Sequence, residues 1–208
     1  MQLNHRFRYT CKDWENLLAG VNTVADLVSN IAAYAVASVP PIFKADEYTK
    51  LISKYEGDAF EVFGEYFIKS HGSSSEVGIV DYQPLYQLGN TDKDTGVDGY
   101  GTGTNCKPAT VQFKFKKNRT AVLSANEDRL TNFTWTSVRK FKVDVEDSSN
   151  MLIVSTGKEL ASFTKHDMLD DAVRFLGFNE LSKMLDHNIV FWDGFRASTM
   201  LISAGDNC

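Results

Sequence analysis

The residues best suited to chemistry are an aspartate set among glycines, Gly96-Val97-Asp98-Gly99, and a Gln112-Phe113-Lys114 tripeptide that begins fourteen residues after Asp98. A carboxylate ending one strand and a Gln-x-Lys on the next, joined by a turn, would meet at one edge of a sheet. Gln112 and Lys114 are two apart, so an extended chain points them to the same side. Phosphodiester hydrolysis needs a hard cation to offset charge on the phosphoryl oxygens and activate water, and such cations take oxygen ligands. In that chemistry Asp98 is the anionic ligand, Gln112 offers an amide oxygen, and the main-chain carbonyl of Phe113 completes the set. Lys114 places a positive charge beside the developing pentacovalent phosphate and can orient or deprotonate the attacking water. The expected cation is Mg2+, with Mn2+ able to substitute.

The elements that must position these groups are legible in the periodicity. Residues 110–117 alternate, with Val111, Phe113 and Phe115 on one face and Gln112, Lys114 and Lys116 on the other, which predicts a strand with an apolar back and a front that carries the chemical groups. Upstream, residues 13–39 carry one apolar stripe that includes Leu17, Val21, Val28 and Ile31, and Pro40-Pro41 ends it. Helices over 46–54 and 58–70, separated at Gly57, follow; Phe60, Phe63 and Phe67 share a face of the second, with Glu61 and Glu65 beside it. Residues 77–88 read as an edge or early strand interrupted by Pro84, and Gly99–Gly103 as a tight turn between strands. A helix over 126–140 would pack through Leu130, Phe133, Trp135 and Val138. A central strand at 151–155, a helix over 167–185 and a last strand at 189–192 complete the chain. This order predicts an α/β sandwich around a mixed sheet, with residues 1–56 as an N-terminal helical extension and 57–208 as the α/β core.

Bulk properties narrow the function classes. A chain of 208 residues with 43% hydrophobic content supports one sizeable core. Its net charge of -5 excludes a protein that coats nucleic acid through its whole surface. Locally the balance reverses: residues 107–142 hold nine Lys and Arg against Glu127 and Asp128, a local +7. Lys116, Lys117 and Arg119 are the expected contacts to a phosphate backbone. Cys11, Cys106 and Cys208 are odd in number and widely spaced, suggesting neither a disulfide framework nor a zinc site, and a reducing, cytoplasmic setting is expected. Charged residues at the start argue against a signal peptide, and no apolar run is long enough to cross a bilayer. Asp92, Asp94 and Asp98 do not fit a calcium loop, because the twelfth position is Gly103 in place of a glutamate. His166-Asp167 and His187 lack the nucleophile elbow a hydrolase triad would need.

On these residues the chain resembles the PD-(D/E)xK nuclease superfamily, and within it the Mrr-like restriction endonuclease branch, where glutamine often replaces the second acid. Residues Thr95 to Gly99 look like that branch's glycine-flanked aspartate, and Val111 to Phe115 like its V-Q-x-K-F strand. Phe60-Glu61 looks like the helical glutamate that many members use as a further metal ligand, with Glu65 as the alternative. The stretches 130–137 and 151–156 are similar to the helix and strand after the lysine in nuclease domains fused to phage and bacterial helicases. The resemblance implies a restriction-endonuclease-like α/β/α sandwich and a Mg2+-dependent deoxyribonuclease, in which Asp98, Gln112, Lys114 and Glu61 act together. It also implies DNA as partner, a helicase domain in the same or another chain, and a possible homodimer. Glutamine at 112 removes one negative charge from the parent pattern, so a one-metal site is expected. The rival expectation is a catalytically inactive DNA-binding or docking module of a helicase-linked restriction or replication system.

Overall fold

The computed structural model describes residues 3, 9–41, 44–85, 96–124, 130–146, 150–161 and 172–203. Asp92, Asp94, Thr95, His166 and Asp167, and the expected helical residues 126–129 and 167–171, lie outside the described residues. The chain is mixed α/β and divides into two compact units, residues 1–66 with 180–208, and residues 67–179.

The first unit is helical. It holds α1 (Cys11–Leu18), α2 (Val24–Ser38), most of α3 (Ala45–His71), most of α5 (Phe178–Leu185) and α6 (Ile189–Ser203). The single helix expected over 13–39 is two. Thr10 with Asp13 and Thr23 with Asp26 each form a capping box, so the second box starts a new helix inside the stripe. In contrast, the two helices expected around Gly57 are one, and α3 runs through it unbroken. The largest sequence error is at 189–192, where the expected strand is the first turn of α6. The Asn188 side chain accepts from the Phe191 N–H (3.1 Å), an N-cap bond that starts a helix where a β-branched pair suggested extension. Phe63 is the hub of the core, with Phe60 and Trp192 stacked at 5.4 and 6.3 Å and Phe195 edge-on at 5.9 Å. Cys11 is disulfide-bonded, contrary to the expectation for the cysteines, whereas Cys106 is an exposed free thiol.

The second unit is built on a five-stranded mixed sheet in the order β1-β2-β3-β5-β7. β1 (Ile79–Pro84), β2 (Gly99–Gly103) and β3 (Pro108–Lys114) are antiparallel neighbours, while β3, β5 (Met151–Ser155) and β7 (Arg174–Leu176) are parallel. A short parallel pair, β4 (Val122–Leu123) and β6 (Glu159–Leu160), stands apart from it. The glycine segment 99–103, expected as a turn, is therefore a strand with partners on both edges. A Cβ on Gly99 would fall 2.3 Å from the Tyr82 ring, so glycine there admits the tyrosine and is not a turn signal. Part of the helix expected over 167–185 is β7, which pairs with the wholly buried β5.

Helix α4 (Leu130–Arg139) lies on one face of this sheet. Leu130 and Phe133 pack with Val97, Met151 and Ile153 in one apolar cluster, and each fully buried side chain contributes roughly 1.5–3 kcal/mol. In-register neighbours point the same way, so Gln112 and Ile153 share the α4 face. Val111, Leu152 and Arg174 form a row on the other. There the Arg174 guanidinium donates to the carbonyls of Glu76 (3.1 Å) and Val77 (2.5 Å), tying the α3–β1 connection to the far edge of the sheet.

Candidate active site on strand β3

Asp98 stands just before β2 and its main chain is held on both sides. Its N–H donates to the Val111 carbonyl (2.9 Å) and its carbonyl accepts from the Leu85 N–H (3.0 Å). The half-buried carboxylate then accepts the Phe113 N–H at 2.6 Å, a short charge-assisted bond that fixes its direction toward β3. The expected approach of Asp98 to the Gln-x-Lys strand is thus present. The approach runs through the main chain of Phe113, whose ring packs edge-on to Tyr82 at 6.3 Å.

Gln112 does not sit on an open front. It is 1% exposed, on the face that α4 covers. On that face Thr110 Oγ1 donates to Ser137 Oγ (2.8 Å), and Ser137 Oγ donates to the Phe133 carbonyl (2.8 Å). Alternation fixes which way a side chain points, not what lands on it. A Cβ on Gly96 (φ +73°) would lie 2.9 Å from the Phe133 nitrogen and 3.3 Å from Gln112 Nε2, so the glycine is wedged between helix and glutamine. Gln112 Oε1 is buried and accepts no hydrogen bond among the described residues. A buried acceptor without a donor costs about 1–3 kcal/mol, which a bound water or cation would offset.

Lys114 ends β3, half-buried, with its carbonyl held by Ser155 Oγ (2.8 Å) and the Thr156 N–H (3.2 Å). Its ammonium makes no ion pair or hydrogen bond among the described residues, so Asp98 and Lys114 are not the ordinary strand-edge ion pair their types allow. Beyond the strand, Thr156 Oγ1 donates to the Lys116 carbonyl (2.9 Å) and accepts its N–H (2.6 Å), carrying the β3–β5 pairing past Lys114. Lys116 is half-buried, Lys117 and Arg119 are exposed, and the Arg119 guanidinium lies 5.2 Å from the centre of the Phe178 ring.

Glu61 belongs to the helical unit, half-buried on α3, and Glu65 in the same unit is fully buried. The strand trio belongs to the other unit. Among the described residues no group of three His, Cys, Asp or Glu side chains is placed to share a metal ion. The cation-binding set considered for β3 has a single carboxylate and relies on amide and main-chain oxygens. The unpartnered Gln112 Oε1 fits such a role, since a hard cation is bound by neutral oxygens as well as by carboxylates. A cleft of about 360 Å³ in the same unit is lined by Lys69, Ser73, Asp81 and Tyr82, and none of the trio lines it.

Trp135, which the sequence places in the packing of its helix, faces solvent instead. It is 57% exposed, and the Arg139 guanidinium lies 3.8 Å from its ring centre. The i, i+4 spacing of Trp135 and Arg139 was the available signal. Among the described residues no helix is long and apolar enough to cross a membrane. No family model, curated protein or solved structure matches the chain.

Proposed function

We propose that this protein is a metal-dependent deoxyribonuclease whose active centre is the end of β3, with Asp98 and Gln112 as ligands of one Mg2+ and Lys114 as the group that meets phosphate and water. The observation that carries this reading is the buried, unpartnered Oε1 of Gln112, one residue from the Phe113 N–H that orients Asp98. A buried acceptor without a donor, one residue along the strand from the bond that fixes Asp98, supports a cation ligand there, since hard cations take neutral amide oxygens as well as carboxylates. The bound cation would supply charge neutralisation and a more acidic water.

This chain's own residues supply the rest. The carboxylate of Asp98 is held in place before any ligand arrives, because one oxygen is already engaged by the strand; preorganisation of this kind removes a reorganisation cost from the reaction. Lys114, with no carboxylate partner among the described residues, keeps its positive charge for a phosphoryl oxygen. Mn2+ would substitute for Mg2+. Lys116, Lys117 and Arg119 continue the cationic track away from the strand end and would hold the DNA backbone.

A second reading, a catalytically inactive DNA-binding or docking module, is favoured by one observation: α4 covers Gln112, leaving it 1% exposed. Purified protein incubated with linear, circular and single-stranded DNA separates the two. The nuclease reading expects cleavage in Mg2+ or Mn2+, none in EDTA, and loss of cleavage in Asp98→Asn and Lys114→Met proteins with unchanged circular dichroism. Full cleavage by Lys114→Met would sink the mechanism, and salt-sensitive binding without cleavage would establish the module.

A further inference from the structure

We infer that the outer face of α4 is a stacking platform for unpaired bases, and that the nucleic acid this protein engages is single-stranded DNA. The inference rests on the DNA reading above for its partner class but needs no catalysis. Thr131, Asn132, Trp135 and Arg139 are the exposed residues of α4, spaced so that they form one stripe opposite the buried Leu130, Phe133 and Ser137. An indole 57% open to solvent on a helix whose other aromatic is fully buried is not there for the core.

Charge decides what such a ring meets. Residues 130–142 contain no acid, while Arg139, Lys140 and Lys142 are all exposed. The nearest acid in sequence with a described partner, Asp144, is taken by Lys107 at 3.0 Å. A surface aromatic followed by three exposed cations, with the acids Glu127 and Asp128 only ahead of the helix in sequence, matches a polyanion that presents flat rings: phosphates meet the cations and a base meets the indole. Duplex DNA hides its base faces, so the ring is useful only to unpaired bases. Arg139, lying over the indole at 3.8 Å, both orients the ring and offers a guanidinium plane beside it.

The chain has three tryptophans, and Trp14 and Trp192 are each 1% exposed, so Trp135 is the one a ligand can quench. The test titrates the full-length protein with an oligothymidylate of about fifteen residues in EDTA at low salt, a length within the site sizes of single-strand binders. Saturable quenching of the fluorescence is expected. The affinity of Trp135→Ala should fall roughly 5- to 150-fold, the equivalent of losing one base stack, and Trp135→Phe should recover part of it. A blunt-ended duplex should neither quench nor compete comparably. Undiminished oligothymidylate binding by Trp135→Ala, absence of quenching, or equal competition by duplex would each overturn the inference. Turnover is absent in EDTA, so such a failure leaves the cleavage assays untouched. Loss of cleavage alone, with Trp135-dependent binding intact, would remove the nuclease reading and leave the platform.

Discussion

Replacing Gln112 with methionine separates a reserved ligand from an ordinary core amide. The side chain is 1% exposed with an unpartnered Oε1, so wild-type protein without metal carries the cost of a desolvated acceptor, about 1–3 kcal/mol. Methionine has nearly the same length and volume and no acceptor to desolvate, so packing against Phe133 and Gly96 is preserved to first order. For a chain of this length each kcal/mol moves Tm by about 2–4 °C. In EDTA the Gln112→Met protein should therefore melt roughly 2–12 °C above wild type. Adding Mg2+ should close or reverse the gap: on the proposed reading only wild type keeps the full ligand set, and a ligand at a hundred times its Kd stabilises the native state by about 2.7 kcal/mol, against the deficit of about 1–3 kcal/mol. Thermal melts monitored by circular dichroism, with EDTA and then with a Mg2+ titration, read both effects. Refutation is equally direct. A methionine variant that melts below wild type in EDTA would mean that the amide is satisfied and structural, and a Mg2+ shift of equal size in both proteins would place the cation elsewhere.

Two further outcomes follow from the same unit. Gly96→Ala must place a Cβ 2.9 Å from the Phe133 nitrogen at a φ of +73°. That nitrogen and the Phe133 Cα at 3.2 Å are backbone that cannot swing aside, so a loss of about 1–3 kcal/mol in urea denaturation is expected, together with loss of cleavage as the Gln112 side chain, 3.3 Å from the new Cβ, is displaced. His71, half-buried at the end of α3 and stacked on Phe67 at 5.1 Å, has its pKa lowered chiefly by burial, with the Phe67 backbone and Glu76 opposing. A folded-state pKa below the unfolded value makes the unfolded chain bind more protons between the two, so stability rises with pH in that window. The urea midpoint should thus be flat above pH 6.5, fall as pH drops below it, and level off below the folded pKa. His71→Phe should remove that step, and a step persisting unchanged would assign it to another group.

How much of this was legible depended on whether local pattern or a distant partner decided each feature. Strand β3 was readable because two-residue alternation and an apolar back are properties of the segment itself, and the neighbouring Met151–Ser155 run declared a central strand by being apolar throughout. The mixed sheet with helices followed from element order. The failures divide between local caps overlooked within an apolar pattern, as at the Thr23–Asp26 box and Asn188, and places where tertiary context decides. Ile189 and Val190 favour extension, yet they are exposed on a helix whose start is set by the Asn188 side chain and whose buried residues include Phe191, Trp192 and Phe195. Gly99 reads as a turn until Tyr82 is seen to occupy the space its side chain would fill. The covering of Gln112 by α4, and the exposure of Trp135 on that same helix, both depend on which face of α4 meets the sheet. With Leu130, Phe133 and Trp135 all apolar, the sequence offers two competing stripes, and only the packing against Met151 and Ile153 chooses between them.

That choice of face also determines which substitution is informative at the candidate centre. Asp98 has two jobs on any reading, because the carboxylate that would hold a cation also accepts the Phe113 N–H at 2.6 Å between two strands. Loss of cleavage in Asp98→Asn alone would thus be equally compatible with a loosened strand end. Lys114 has no such double role: its main chain is what Ser155 and Thr156 hold, and its ammonium holds nothing among the described residues. Removing that charge leaves every described hydrogen bond of β3 in place, so a catalytic defect in Lys114→Met with unchanged Tm is attributable to chemistry at phosphate. The same logic ranks Gln112 above Asp98, since its substitution is expected to raise stability while lowering activity. Opposite signs on the two measurements are difficult to produce by damage to the fold, and they are the pattern expected of a residue kept for its ligand at a cost to the empty protein.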